Sequence, residues 1–336
     1  MGSPQLYKYK KNKKQKKQKT NKKNKIFFIL YKIVLYKIFF LFYDMDEYIG
    51  ELKEKGYVVI PGVLSDEEVD YAKGEFYKWF HSIDNLEKIH KQINPHNIFK
   101  YHQVGHQRFA WFIRTRPMVK EVFAKIWETD NVVVSFDGAC YMKEGGTNIS
   151  TNCWTHTDQA PKTPGFICVQ GFVSLTDNKK ASLQLYEGSH LLHQQYFKDQ
   201  GIEKGHKDWG KNWQIINQDY LKTIKNKKKI LEVPKGSIVL WDSRTFHQNI
   251  CLDNNEERLV QYVSMLPKEH KLNTKNMHEK RVKYFKELRT TSHWCYPIRV
   301  NSLQPRTYGN DSILINYDDL QSPDIEDLLP NIKKLL

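Results

Sequence analysis

Cysteine is scarce and scattered. The five cysteines, Cys140, Cys153, Cys168, Cys251 and Cys295, are odd in number and include no C-x-x-C pair. That speaks against a disulfide framework and a structural zinc site, and it fits a reducing compartment, the cytoplasm. Internal repeats and a Gly-rich phosphate loop are both missing, so nothing points to a solenoid or a nucleotide cradle. Arginine and acidic residues are absent from residues 1–43, which carry thirteen lysines. Without that segment the net charge drops from +15 to +2. The remainder is nearly neutral, and no nucleic-acid partner is expected from it. No apolar run of membrane-spanning length is free of charge. The longest, 26–43, contains Lys32 and Lys37, and a lysine near the centre of a span costs about 2.5–3.5 kcal/mol.

Residues 1–44 therefore read as a lysine-rich and hydrophobic extension outside the fold. The alternatives are a membrane anchor through 26–43 and a disordered basic arm. From Met45 the pattern changes to that of a folded domain, 45–336. Residues 46–55 form a helical pattern stopped by Gly56, and 57–60 a strand. Ser65 heads S-D-E-E, a capping box, so a helix is expected from there to about Phe80 with Val69, Ala72, Phe76 and Phe80 on one face. A further helix is expected over 117–128. Beyond about 131 come short β-rich runs at 132–136, 139–143, 166–175, 182–186, 230–233, 237–241 and 259–265. Seven or eight such strands imply a sandwich or barrel and not a βαβ sheet. The polar, Lys-rich interval 191–229 reads as an insertion, a potential lid. An amphipathic helix at about 276–288 precedes an irregular tail, 290–336.

Within this β framework, W-T-H-T-D at 154–158 sets His156 and Asp158 two residues apart, and on an extended segment such residues project to one side. Two ligands do not define a metal. A third is offered by His247, in WDSRTFHQN just after the strand 237–241. Two imidazoles and one carboxylate on one face of an octahedral ion form the triad of iron(II) oxygenases, whose three open positions take a bidentate co-substrate and O2. Eleven residues past His247 stands Arg258. A 2-oxoglutarate molecule chelating iron leaves its distal carboxylate pointing away, and arginine is the two-pronged, permanently charged donor suited to bind it. With 13 histidines in the chain, H-x-D alone arises readily by chance. The order, spacing and β context of all four residues carry the specificity.

These residues resemble the phytanoyl-CoA dioxygenase family of iron(II)/2-oxoglutarate oxygenases over roughly 47–266. The resemblance runs through GYVVIPGVLSDEEV at 56–69, H-T-D at 156–158, VSLTDNKKASLQLYEGSH ending at His190, and KGSIVLWDSRTFHQN with the downstream Arg258. It implies a mostly β fold with flanking helices and a double-stranded β-helix core (a cupin-like jelly roll). It implies Fe(II), 2-oxoglutarate as co-substrate and O2. His156, Asp158 and His247 become the metal ligands and catalytic centre, and Arg258 the co-substrate anchor. Asn249, Gln170 and Phe172 fall where the family lines the co-substrate pocket. The sequence departs from the family at Glu187, where proline is usual before G-S-H, and at Lys180-Ala181, where Asn-Gly is usual. Asp158 stands where halogenating relatives have a small residue, which favours hydroxylation.

The expected activity is hydroxylation of a C–H bond in a small organic substrate with release of succinate and CO2. The rival readings are an oxygenase acting on a macromolecule and a jelly roll that binds without catalysis. His190 is expected to hold its turn by hydrogen bonding and not to bind metal. Arg244 meets either a substrate carboxylate or an internal acid. For His293, Trp294 and Arg306 in the tail, packing and covering the pocket mouth are both open.

Overall fold

The computed structural model describes residues 45–94 and 96–336, and the compact unit treated below is Tyr48–Leu336. The expectations placed on residues 1–44, including an anchor through 26–43, lie outside the described residues. Among the described residues no helix is long and apolar enough to cross a membrane.

Twelve strands are named in chain order: β1 (Tyr57–Ile60), β2 (Val132–Val134), β3 (Ala139–Met142), β4 (His156–Thr157), β5 (Val169–Ser174), β6 (Ala181–Tyr186), β7 (Gln214–Ile215), β8 (Lys228–Ile230), β9 (Ile238–Asp242), β10 (His247–Cys251), β11 (Arg258–Val263) and β12 (Met265–Pro267). One five-stranded sheet has the order β1-β9-β5-β11-β3 and the other β7-β4-β10-β6-β8, with β12 and β2 as a separate ribbon. All pairings are antiparallel. Side chains alternate across each strand, so every second residue of both sheets enters the space between them. Cys140, Met142, Phe172, Val239, Trp241 and Val260 from the first sheet meet Ala181, Leu183, Leu185 and Cys251 from the second. This is the two-sheet core that the short β-runs imply, and the jelly roll that the resemblance implies.

The helices cover the outside. Ser65 caps the helix Asp66–His81 with the full reciprocal box to Glu68, worth about 1 kcal/mol over an alanine cap. Its inner stripe, Val69, Ala72, Phe76 and Phe80, is buried. Phe76 packs 5.2 Å from Tyr141, which lies on the outer face of β3 because Cys140 and Met142 take the inner one. The helices Pro117–Trp127 and Lys275–Lys286 fall where the sequence pattern puts them.

The insertion is more ordered than its polar composition implies. It contains most of the helix Ser189–Asp199, the helix Gln218–Thr223 and the strand β7. Tyr196, Phe197, Ile216 and Leu221 close a satellite core around Tyr186 and the fully buried Phe246. The expected strand at 230–233 forms earlier, at β8, because pairing with β6 places Ile230 opposite Gln184. Leu231 and Val233 are still buried in the main core.

Candidate metal centre

Register explains how residues ninety positions apart converge. His247 on β10 lies directly opposite His156 on β4, and Asp158 follows two residues beyond His156. The Nε2 atoms of both histidines stand 3.4 Å from Asp158 Oδ2, and the imidazole centres are 4.3 Å apart. Among the described residues this is the group of three or more His, Cys, Asp or Glu that could hold one ion, its ligand atoms all within 4.8 Å of one another.

Neighbouring groups hold that geometry. His247 Nδ1 lies 2.9 Å from the carbonyl of Thr245, and His156 Nδ1 lies 3.3 Å from that of Trp154. Each Nδ1–H can thus donate to a carbonyl two residues back, which leaves both Nε2 lone pairs facing the carboxylate. Gln170 Nε2 donates to Asp158 Oδ2 at 2.9 Å. Gln248, on the opposite face of β10, accepts from the Trp154 amide at 3.1 Å and from Thr155 Oγ1 at 2.7 Å. The Asp158 amide donates to the carbonyl of Ser243 at 3.0 Å. Segment 154–158 is therefore stapled along 243–248. Burial depresses the pKa of His156, partly countered by Asp158. Burial would raise the Asp158 carboxyl, but His156, His293 and the hydrogen bonds from the triad imidazoles bring it well below the usual carboxylate range. A neutral imidazole and an ionised carboxylate are the forms that bind a divalent cation.

Arg258 is wholly buried on β11 in the facing sheet. Its Nη1 donates to Cys140 Sγ at 3.2 Å, while Nε and Nη2 have no partner. Its guanidinium lies 5.2 Å from the ring centre of Phe172. Asn249, two residues past His247 and so on the same face of β10, donates to Tyr262 Oη at 2.8 Å and lies 3.7 Å from Cys140 Sγ. Arg258, Asn249 and Phe172 thus share one chamber. Gln170 instead sits at the metal end, on Asp158. A buried guanidinium without a counter-ion costs several kcal/mol. Two of its nitrogens remain available to a carboxylate, the fit that the distal end of 2-oxoglutarate requires.

The other polar candidates separate cleanly. Arg244 forms a bidentate pair with Asp242, Nη2–Oδ2 2.6 Å and Nε–Oδ1 3.0 Å, so it meets an internal acid. His190 Nε2 lies 3.0 Å from the carbonyl of Lys53, and its ring lies over Gly56, whose φ is +82°. A Cβ at Gly56 would come within 2.3 Å of His190 Nδ1. That turn therefore needs glycine twice over, for its φ and for this close approach. His193 lies 2.9 Å from the carbonyl of Gln159. Neither histidine belongs to the metal-capable group.

Sequence patterning did not reveal the aromatic rim. Trp154 stacks on His156 at 4.9 Å and His96 on Trp154 at 3.8 Å. Trp213, contributed by the insertion, lies 5.6 Å from the His156 ring. The tail does pack, through Trp294, Cys295 and Tyr296 against Val133, Cys168 and Leu266. It also reaches the site, where Trp294 Nε1 donates to the Asp158 carbonyl at 3.3 Å.

A model of the phytanoyl-CoA dioxygenase (PhyH) family matches residues 52–249, more than half of the chain. Ava biosynthesis cluster protein O of Aspergillus versicolor is 27% identical over 235 residues, covering 65% of this chain and 76% of that protein. Among solved structures, the epimerase SnoN in complex with Fe3+, alpha ketoglutarate and nogalamycin RO is similar at 15% identity and a TM-score of 0.45, over 67% of this chain and 84% of that one. HygX from Streptomyces hygroscopicus with nickel and 2-oxoglutarate bound is similar at 11% identity and a TM-score of 0.43, over 66% and 86%.

Proposed function

The chain belongs to the phytanoyl-CoA dioxygenase family of iron(II)- and 2-oxoglutarate-dependent oxygenases, and on that premise we propose that it hydroxylates a C–H bond of a small organic substrate. One observation carries the reading: a His-Asp-His group and an unpaired, wholly buried arginine face the same interior from opposite sheets. His156, Asp158 and His247 hold the iron, with Gln170 fixing the Asp158 carboxylate. Arg258 takes the distal carboxylate of 2-oxoglutarate, beside Asn249 and Phe172. The bound iron and 2-oxoglutarate supply O2 activation, with succinate and CO2 as the accompanying products. The chain's own work is to ligate, orient and keep water out.

The carboxylate at position 158 favours hydroxylation over halogenation, because it fills the coordination position that a halide would need. The rings of Trp154, His96 and Trp213 cluster beside the His156 imidazole, an aromatic surface on which a small organic molecule can pack. The near-neutral charge beyond residue 43 gives no electrostatic footprint for a nucleic acid. A cytoplasmic setting is part of the same proposal and rests on the free cysteines.

The test is an anaerobic titration of the full chain with Fe(II) and then 2-oxoglutarate. A weak visible charge-transfer band is expected, and succinate on admitting air. A protein giving neither is not an oxygenase. The His247→Ala variant is expected to keep the wild-type circular dichroism and lose both signals. If it only unfolds, His247 is a core residue and the assignment of the triad fails.

A further inference from the structure

The buried polar atoms that the reading above leaves unused include one beside the metal centre, His293 Nε2. It has essentially no exposure and no hydrogen-bond partner. The residue belongs to the C-terminal tail, beyond the segment 52–249 matched by the family. Its placement is fixed by its neighbour: Trp294 is buried and its indole donates to the Asp158 backbone carbonyl at 3.3 Å. The His293 and Trp294 rings lie 5.7 Å apart. His293 interacts electrostatically with Asp158, His247, His156 and Arg299, three of them the triad itself. Yet His293 stands outside the group whose ligand atoms lie within 4.8 Å of one another. It is close enough to feel the triad and too far to share its ion. A buried imidazole nitrogen left without a partner is unfavourable, a cost that an incoming ligand would recover.

We propose that His293 is a positioning residue of this enzyme, its Nε2–H donating a hydrogen bond to an oxygen of the ligand held on the open side of the triad. An imidazole in its neutral form with the proton on Nε2 donates there while adding no charge. Two ligands would offer such an oxygen, a carboxylate of 2-oxoglutarate and a diatomic molecule. The inference rests on the iron and 2-oxoglutarate reading.

The experiment compares wild type, His293→Phe, His293→Gln and Trp294→Phe as full chains loaded with Fe(II). Equilibrium 2-oxoglutarate affinity is read anaerobically from the charge-transfer band. Nitric oxide then serves as the diatomic probe, read by its N–O stretch and by electron paramagnetic resonance. Contact with 2-oxoglutarate predicts that His293→Phe weakens its binding about tenfold and that His293→Gln restores most of it. Contact with the diatomic predicts an unchanged affinity and a shifted N–O stretch in His293→Phe, again restored by Gln. The proposal is overturned if neither readout moves, or if Trp294→Phe moves both as far as His293→Phe, since the effect would then be displacement of Asp158. Absence of the band in wild type overturns the underlying reading instead.

Discussion

Arg258 is a liability to the ligand-free protein and, in the function proposed, an asset to the loaded one. Its guanidinium is buried with two nitrogens unpaired. Replacing it with methionine removes a desolvated charge and keeps the volume, so the ligand-free protein is expected to melt at the same temperature or higher. Wild type is expected to gain thermal stability as 2-oxoglutarate is added to the metal-loaded protein, and Arg258→Met to lose that gain. Differential scanning fluorimetry across a 2-oxoglutarate series checks both halves. A variant that is destabilised yet still responds would show that Arg258 is structural. At this scale the sequence was most informative where chemistry demands particular atoms. The structure gathers His156, Asp158 and His247 and buries Arg258 in the facing sheet, the grouping that their types and order suggest, because an iron triad and a dicarboxylate anchor leave few alternatives. Asn249 and Phe172 join Arg258 in its chamber, and Gln170 holds Asp158. His293 could be noticed but not placed, since nothing in its neighbourhood of sequence fixes where a tail packs.

Elements decide how accurately those atoms are held. The strand β10, His247–Cys251, was not expected because HQNIC has no apolar alternation. Its inner face carries the polar His247 and Asn249, both in the candidate site, and its outer face carries Gln248, which holds the Trp154 amide and Thr155 hydroxyl. The two-residue strand β4 is shorter than any pattern can show. By contrast, the capped helix at 66–81 was readable to within a residue, since its cap and its stripe are both local. Gln248 is the staple between β10 and the segment that precedes β4. Gln248→Leu removes the acceptor for the Trp154 amide and Thr155 hydroxyl. It is expected to weaken metal affinity by about tenfold, as loss of a supporting partner commonly does, with little change in secondary structure. Competition with a calibrated chelator measures the first, and circular dichroism the second.

For the molecule as a whole, the titration of buried histidines sets the acid limit. Burial lowers the pKa of His106 to about 3 and of His90 and His193 to about 4. Each is neutral when folded and takes up a proton on unfolding below its ordinary pKa near 6.5. Their contribution is therefore full above that value and is lost as pH falls. Between pH 7 and 5 the loss is roughly 1–2 kcal/mol for each such residue. Urea denaturation midpoints are expected to drop steadily over that interval. A flat profile would mean that these rings are protonated in the folded state.

The outermost strand of the second sheet, β7, belongs to the insertion and is hydrogen-bonded to the very strand that carries His156. The Ile216 amide continues that seam, donating to the Thr155 carbonyl at 2.8 Å. Two residues of ladder are easily peeled away. A displacement of 200–213 therefore bears first on His156, whereas His247 is also paired with β6. An ion held by His156 is expected to steady this edge, so that deuterium uptake at Ile216 slows while that at the distant tip of the insertion stays the same.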